Sequence, residues 1–337
     1  MNFEPLISNV SNSPYGAVIK NKQFMNYLTR IIAHHYNVKG NEPLFPAPQP
    51  VSMEKKDFEK LEKYEYTVSL KMDGTRFLMY FLKDKNDKNQ CILVNRAFQF
   101  YSINIEAEDN IFNESLFDGE VIFDSELNKW KYLIHDALVL CGNKVSKLHH
   151  SIRLQDAQCC IESFIQCLDT NTLVVEVKQF YNFNVDFIEK IYKEAKVCDG
   201  IIFMPEKLPV ISGTQYSMLK WKPRDKHTFD FQVNENDTGL CISVFHMGNI
   251  IPFAKVYKDE EKGKQFIDKF NSLNDVSENC ILECTFNLKE NNFEPLLIRT
   301  DKNHPNSLRT VERTLFNINE NITTDDLLNI KFNSKAE

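Results

Sequence analysis

A lysine that enters an Asp-Gly turn from a strand is the strongest chemical feature of this 337-residue chain, in the run Lys71-Met72-Asp73-Gly74-Thr75-Arg76. Upstream of it Tyr66, Val68 and Leu70 alternate with Thr67, Ser69 and Lys71, so a strand brings the lysine to its polar face. A lysine is a nucleophile once its amine is neutral, and nearby positive charge or desolvation favours that form. Positive charge is available from Met218-Leu219-Lys220-Trp221-Lys222-Pro223, where Lys220 and Lys222 share one face and Leu219 and Trp221 the other. Two ammonium groups ~7 Å apart on a strand suit a chain of phosphates. Leu116-Phe117-Asp118-Gly119-Glu120 and Asp199-Gly200-Ile201-Ile202-Phe203 each place carboxylates where an apolar strand begins. There they can hold sugar hydroxyls or a hard divalent cation. Arg299 and Lys302, three residues apart before Asn303-His304-Pro305-Asn306, can clamp phosphates. Each feature alone has an ordinary reading: a hairpin turn, a solvated edge strand, turn chemistry or a decorated loop.

The elements that must position these groups are short. Phe24, Leu28, Ile31 and Ile32 recur at helical spacing, which predicts a helix over 21–36. Four prolines in 41–50 make an extended lead-in. Strands are predicted at 66–71, 77–82, 91–95, 121–123 and 132–135, helices at 153–168 and 186–197, and strands again at 200–204 and 218–222. The polar, charged segment 223–227 reads as a hinge. Beyond it, strands at 229–233, 240–245, 280–286 and 296–299 around a charged helix near 259–270 suit a small barrel such as an OB-fold. A last helix over 323–330 is predicted, capped by Thr324 or Asp325.

Composition narrows the class. Apolar residues make up 42% and charged residues 26%, and no apolar run approaches the ~20 residues of a membrane helix. No basic segment followed by an apolar one opens the chain, so the cytosol or nucleus is expected. Nine cysteines without a C-x-x-C pair read as free thiols. A net charge of −7 argues against wholesale coating of nucleic acid but leaves room for a local basic site. With ten glycines and neither G-x-G nor G-x-x-x-x-G-K-[ST], the Rossmann and P-loop routes to a nucleotide are closed. Cys280 and Cys284, Cys159-Cys160, His34-His35 and His149-His150 lack metal-ligand spacing and read as core or surface residues.

K-x-D-G-x-R, F-D-G-E, Y-L-I-x-D, D-G-I-I-F, L-K-W-K-P and R-T-D-K-x-x-P-N occur here together and in that order. As a set they resemble the nucleotidyltransferase motifs of eukaryotic mRNA capping guanylyltransferases, relatives of ATP-dependent ligases. The resemblance runs from about Asn21 to Asn317 and includes the lead-in Phe45-Pro46-Ala47-Pro48-Gln49-Pro50-Val51-Ser52-Met53, Ile152-Arg153-Leu154-Gln155 and Ile281-Leu282-Glu283-Cys284.

The resemblance implies that Lys71 attacks the α-phosphate of GTP, forms a lysyl-GMP phosphoramidate, and passes GMP to the 5′-diphosphate end of RNA. It implies Arg76 and Arg96 near the ribose and phosphates, Glu120 on the ribose or a metal, and Asp199 supporting a divalent metal, Mg2+ or Mn2+. Lys220 and Lys222 then grip the α-phosphate region, and Arg299 and Lys302 hold the β- and γ-phosphates. Lys178 falls where the family has a lysine that reads guanine O6. His135 stands where relatives commonly have Tyr or Phe stacking on the base, and imidazole offers less area for that. Met72 replaces a usual small residue, and Ala47-Pro48 departs from the family's lead-in.

The expected fold is α+β: a nucleotidyltransferase domain of antiparallel sheets with flanking helices over 1–228 and a C-terminal OB-fold lid domain over 229–315. A terminal helix within 316–337 is expected to pack on the first domain, and GTP and metal to bind between the domains. No triphosphatase or methyltransferase segment is legible, so the chain reads as a standalone guanylyltransferase. Partnership with an RNA triphosphatase and a phosphorylated RNA polymerase II tail, and a nuclear location (a cytoplasmic virus factory for a viral source), follow from the resemblance alone. An ATP-dependent polynucleotide ligase is the nearest alternative, disfavoured by L-K-W-K-P, by Asp199 in place of a glutamate and by R-x-D-K. A nucleotide-binding scaffold without catalysis is the second, disfavoured because every expected catalytic position is occupied.

Overall fold

Three sheets carry the chain in the computed structural model, which describes residues 16–38, 45–166, 168, 170–186, 190–191, 199–300 and 302–330. The first runs in the order β1 (Ala17–Val18), β6 (Phe100–Ile103), β5 (Asn89–Asn95), β4 (Thr75–Lys83), β7 (Ser115–Asp124), β8 (Lys129–Leu140) and β10 (Val174–Val177), with β9 (Asn143–Lys144) beside β8. Its pairings are antiparallel except β10 on β8. Both faces are covered, which is why β4 reads as a nearly unbroken apolar run. Phe77, Met79 and Phe81 pack with Ala157, Cys160 and Ile161 of the helix His150–Phe164. Leu78, Tyr80 and Leu82 pack with Phe24, Leu28 and Ile32 of the helix Lys22–His35. Asn21 caps that helix by accepting from the Gln23 and Phe24 N–H groups.

The second sheet has the order β11 (Tyr181–Asn182), β3 (Tyr66–Leu70), β12 (Ile201–Pro205), β13 (Thr214–Trp221), β2 (Gln49–Ser52). The strand that leads to Lys71 is thus interior, and its polar side is buried too: Thr67 and Ser69 are covered as well as Tyr66 and Val68. The third sheet is antiparallel, in the order β16 (Asn249–Tyr257), β15 (Gly239–His246), β14 (Thr228–Asn236), β17 (Ile281–Asn287), β18 (Asn292–Ile298). Three strands meander, a helix Glu261–Asn271 follows, and the fourth strand returns beside the first. The five strands thus form one antiparallel sheet whose edges are β16 and β18, with no ladder between those two among the described residues.

Contacts divide the chain into two units: Met1–Val51, Phe58–Lys220 and Ile330–Glu337 in one, Ser52–Asp57 and Trp221–Asn329 in the other. The division falls at Lys220 and Trp221, earlier than the expected 228. The second unit also takes in a piece of the lead-in: the Lys55 N–H donates to Glu320, Asn317 donates to the Met53 carbonyl at 2.7 Å, and Arg313 pairs with Glu54 at 2.9 Å. In place of one terminal element in 316–337 there are two helices, Leu308–Glu320 and Thr324–Leu328, separated by Asn321 in the left-handed region. Both belong to the second unit, where Val311 and Ile318 of the longer helix join the core around Phe229 and Phe231. The cap of the last helix is Thr323, in a reciprocal capping box with Asp326, and not Thr324 or Asp325. The predicted helix 186–197 lies mostly outside the described residues, as do Pro43 and Asp301.

Candidate active site

Lys71 lies just past the end of β3. Leu70 is opposite Ile201 in the antiparallel β3–β12 pair, and the Lys71 N–H donates to the Gly200 carbonyl at 2.8 Å. The ladder ends there, so the side chains of residues 71 and 199 project past it together, and Lys71 Nζ stands 2.5 Å from Asp199 Oδ2. Their side chains are 27% and 30% exposed, so the pair adds little to stability and its value is positional.

Glu120 on β7 is directly across from Arg76 on β4. Burial raises its carboxyl above the ordinary range, opposed by the positive charges of Lys178, Lys71 and Arg76. Lys178 follows β10, where its N–H donates to the Ile134 carbonyl at 2.7 Å. Burial brings its amine down to about 8, Glu120 opposing the shift and Lys71 adding to it. Lys71, Glu120 and Lys178 therefore share one electrostatic neighbourhood. The glycines of K-x-D-G-x-R and F-D-G-E make the close approach possible. A Cβ on Gly74 would stand 2.6 Å from the Val121 carbonyl oxygen and 2.7 Å from Glu120 Cγ, and one on Gly119 would enter the Tyr132 ring at 2.5 Å.

Arg76 is held from three sides. Its Nε and one terminal nitrogen donate to Asp118 at 2.9 and 2.5 Å, the other terminal nitrogen donates to the Pro48 carbonyl at 2.7 Å, and the guanidinium lies over Phe45 at 5.7 Å. The lead-in thus serves as a clamp on Arg76. Asp118, 2% exposed, is committed to this ion pair and takes neither the sugar nor the cation role open to it in the sequence. His135 Nε2 stands 3.5 Å from Asp118 Oδ1. Burial, then the charges of Arg76 and Lys178, hold its imidazole well below the usual range, so the ring is neutral. Arg96 is exposed in the turn between β5 and β6, within electrostatic range of Arg76, Asp118 and Glu120.

Behind His135 the fully buried His150 bridges two elements. Its Nε2 pairs with the His135 carbonyl at 3.0 Å and its Nδ1 with the Thr67 hydroxyl at 2.8 Å. Burial lowers its pKa, and a neutral ring with the proton on Nε2 satisfies both bonds. Arg153, one turn along, holds Asp136 through bonds of 2.6 and 2.9 Å. The Asp of Y-L-I-x-D and the Arg of I-R-L-Q thus form a buried structural pair.

Lys220 ends the buried run Met218-Leu219 on β13, with the indole of Trp221 covered on the opposite side, as the alternation requires. Lys222 belongs to the second unit by the division above. So do Arg299 and Lys302, which meet on a residue the sequence reading passed over, Asp230 on β14. Arg299 approaches Asp230 at 3.4 Å and Glu283 at 3.3 Å, and Lys302 is ion-paired with Asp230. Asn306 completes the arrangement: its side chain donates to Asp230 at 3.0 Å and accepts from the Asp230 N–H at 3.1 Å. A carboxylate between the buried Phe229 and Phe231 needs partners, which was the available signal. Its cations are 69 and 72 residues away, beyond any spacing rule.

The mRNA capping enzyme catalytic domain family matches residues 16–224, and the mRNA capping enzyme C-terminal domain family matches residues 214–328. The chain is 29% identical over 333 residues to the mRNA-capping enzyme subunit alpha of Schizosaccharomyces pombe, covering 86% of this chain and 80% of that protein. It is 28% identical over 319 residues to the mRNA-capping enzyme of Danio rerio, covering 84% of this chain and 49% of that protein, about half its length. Among solved structures, mycobacterial DNA ligase D complexed with ATP and MES is similar over 76% of this chain and 96% of that chain, with 11% identity and a TM-score of 0.42.

Proposed function

The chain belongs to the mRNA capping enzyme family, and from that premise we propose the roles of its residues in guanylyl transfer from GTP to RNA. The activity is that of an mRNA guanylyltransferase. The observation that supports Lys71 as its centre is the terminal position of this lysine on β3, 2.5 Å from Asp199 and in the electrostatic neighbourhood of Glu120 and Lys178.

In the first half-reaction the Lys71 nitrogen lone pair attacks the α-phosphorus of GTP. A P–N bond forms as the bond to the β-phosphate oxygen breaks, and pyrophosphate leaves. Nζ gives its proton to solvent water, and Asp199 Oδ2, which accepts a hydrogen bond from Nζ, orients the amine. In the second half-reaction a terminal phosphate oxygen of 5′-diphosphate RNA attacks the same phosphorus, the P–N bond breaks, and Lys71 regains a proton. Such displacements need little beyond positioning and charge. Lys220 and Lys222 hold the α-phosphate region, Arg299 and Lys302 the β- and γ-phosphates. Arg76 and Arg96 border the ribose and phosphates. His135 faces the base, and Lys178 donates to guanine O6.

Asp199, beside Lys71, and Glu120, within electrostatic range of Lys71, would each offer a carboxylate to Mg2+ or Mn2+, which bind through one or two carboxylates together with substrate phosphates. Among the described residues no group of three or more His, Cys, Asp or Glu could hold a metal by itself. Bound there, the cation would neutralise charge at the phosphoryl oxygens. The acceptor chemistry requires an earlier hydrolysis that removes the γ-phosphate from a triphosphate RNA end.

Incubation with α-labelled GTP and a divalent cation should label the protein covalently on Lys71, and α-labelled ATP should not. Labelling from ATP alone would favour a ligase, and labelling from neither would leave a binding module.

A further inference from the structure

Among the described residues, four buried polar side-chain atoms have no hydrogen-bond partner: His35 Nδ1, the Tyr36 hydroxyl, Arg224 Nε and Asn292 Oδ1. Only Arg224 among them carries a fixed charge. It opens a 3-10 turn, Arg224–Lys226, packed against the helix Leu308–Glu320 and β17 in the second unit. The residue as a whole is half-buried, and its Nε is buried without a hydrogen-bond acceptor among the described residues. Well-buried carboxylates of this unit are engaged elsewhere: Asp230 by Arg299 and Lys302, Glu283 by Arg299, and Glu54 by Lys56 and Arg313. A buried donor without a partner is unfavourable and calls for an explanation, which a bound anion would supply.

The sequence around it points to the anion. Residues 220–227 carry the cations Lys220, Lys222, Arg224 and Lys226 against one acid, Asp225, in a chain of net charge −7. Two residues span at most ~7 Å and four at most ~14 Å, so chain connectivity keeps Arg224 near Lys222 and Lys220. With the proposed roles above, every phosphate of GTP already has its cations. The acceptor RNA brings a 5′-diphosphate and backbone phosphates for which none of those residues accounts. A planar guanidinium suits two phosphate oxygens at once.

We propose that Arg224 is a binding residue for the acceptor RNA, its guanidinium contacting a phosphate at or next to the 5′-diphosphate end. This inference rests on the guanylyltransferase reading but is separable from it, because it concerns only the second half-reaction.

The test measures each half-reaction alone. Label from α-labelled GTP gives adduct formation. Chase of purified adduct with 5′-diphosphate RNA, at varied RNA and salt concentration, gives the half-saturating RNA concentration and its salt dependence. Arg224→Ala should raise that concentration about tenfold, the value of one lost charge-assisted contact, with a much smaller change in adduct formation. The slope of log affinity against log salt should become shallower by ~0.7, one phosphate contact on a single strand. Arg224→Lys keeps the charge without the fork and should fall between the two. If Arg224→Ala does not fold, Arg224→Gln is judged by the same criteria. Unchanged RNA affinity and salt slope, or equal losses in both half-reactions, overturn the inference. Absence of any adduct from GTP in the unaltered protein would instead overturn the guanylyltransferase reading.

Discussion

Lys71 carries the most direct prediction. Lys71→Ala should abolish the covalent GMP adduct without unfolding the protein, because the side chain is 27% exposed and its ion pair with Asp199 adds little stability. Lys71→Arg should fail equally, since a guanidinium stays protonated and has no lone pair to offer. Mass spectrometry placing GMP on another lysine would move the assignment. Lys178 carries a pH prediction. Its amine titrates near 8 in the folded protein against a reference of 10.5. The native state thus prefers the neutral form. The burial penalty is present below pH 8 and is relieved between 8 and 10.5, a window in which this residue makes stability rise with pH. Donation to guanine O6 has the opposite trend, because a charged donor is the stronger one. The GTP concentration giving half-maximal adduct should therefore climb as pH passes through about 8. Lys178→Ala should remove both that inflection and the preference for GTP over ATP; an unchanged GTP/ATP ratio would show that another residue reads the base.

Elements were legible in proportion to how plainly their residues alternate. The strand to Lys71 and the facing of Lys220 away from Leu219 and Trp221 follow from side-chain period alone. β16 did not, because Pro252 and a bulge interrupt an edge strand none of whose residues is buried. The helix Leu308–Glu320 was missed because only Val311 and Ile318 are fully buried in it, while Phe316 is exposed. Pairs joined across elements were not legible at all: Asp118 reads as a turn residue until Arg76 is seen beside it, and His150 as a core or surface histidine without a role until Thr67 and the His135 carbonyl close on it. Arg153 and Asp136 make the strongest case for such pairs acting on the fold. Their side chains are 2% and 4% exposed, so Asp136→Ala leaves an uncompensated buried guanidinium and should cost about 3–5 kcal/mol. Thermal unfolding of Asp136→Ala, Arg153→Met and the double variant should show the double losing less than the sum of the two singles. Strict additivity would mean that the pair does not hold the helix His150–Phe164 to β8.

At the scale of the whole molecule, the proposed phosphate cations are distributed over two units. Lys71 and Lys220 belong to one, Lys222, Arg299 and Lys302 to the other, with Arg299 and Lys302 gathered on Asp230. The R-x-D-K spacing was visible in the sequence, but the carboxylate that organises it was not, because it comes from the first strand of the third sheet. The distribution has a kinetic consequence. Arg299 and Lys302 are assigned to the β- and γ-phosphates, which leave as pyrophosphate in the first half-reaction. After that step nothing remains for these two residues to hold, and any conformation favoured by their grip loses its differential binding. Arg299→Ala and Lys302→Ala should therefore slow formation of the Lys71–GMP adduct severely, and should affect transfer from preformed adduct to diphosphate RNA far less. Lys220→Ala should impair both steps, since the α-phosphate is present in each. Asp230→Ala should follow the first pattern, because it removes the carboxylate that places the two cations and leaves Asn306 without its partner. Single-turnover rates for each half-reaction decide the matter. Equal losses in both steps for Arg299→Ala and Lys302→Ala would show that these cations act on something present throughout the cycle, and not on the departing pyrophosphate.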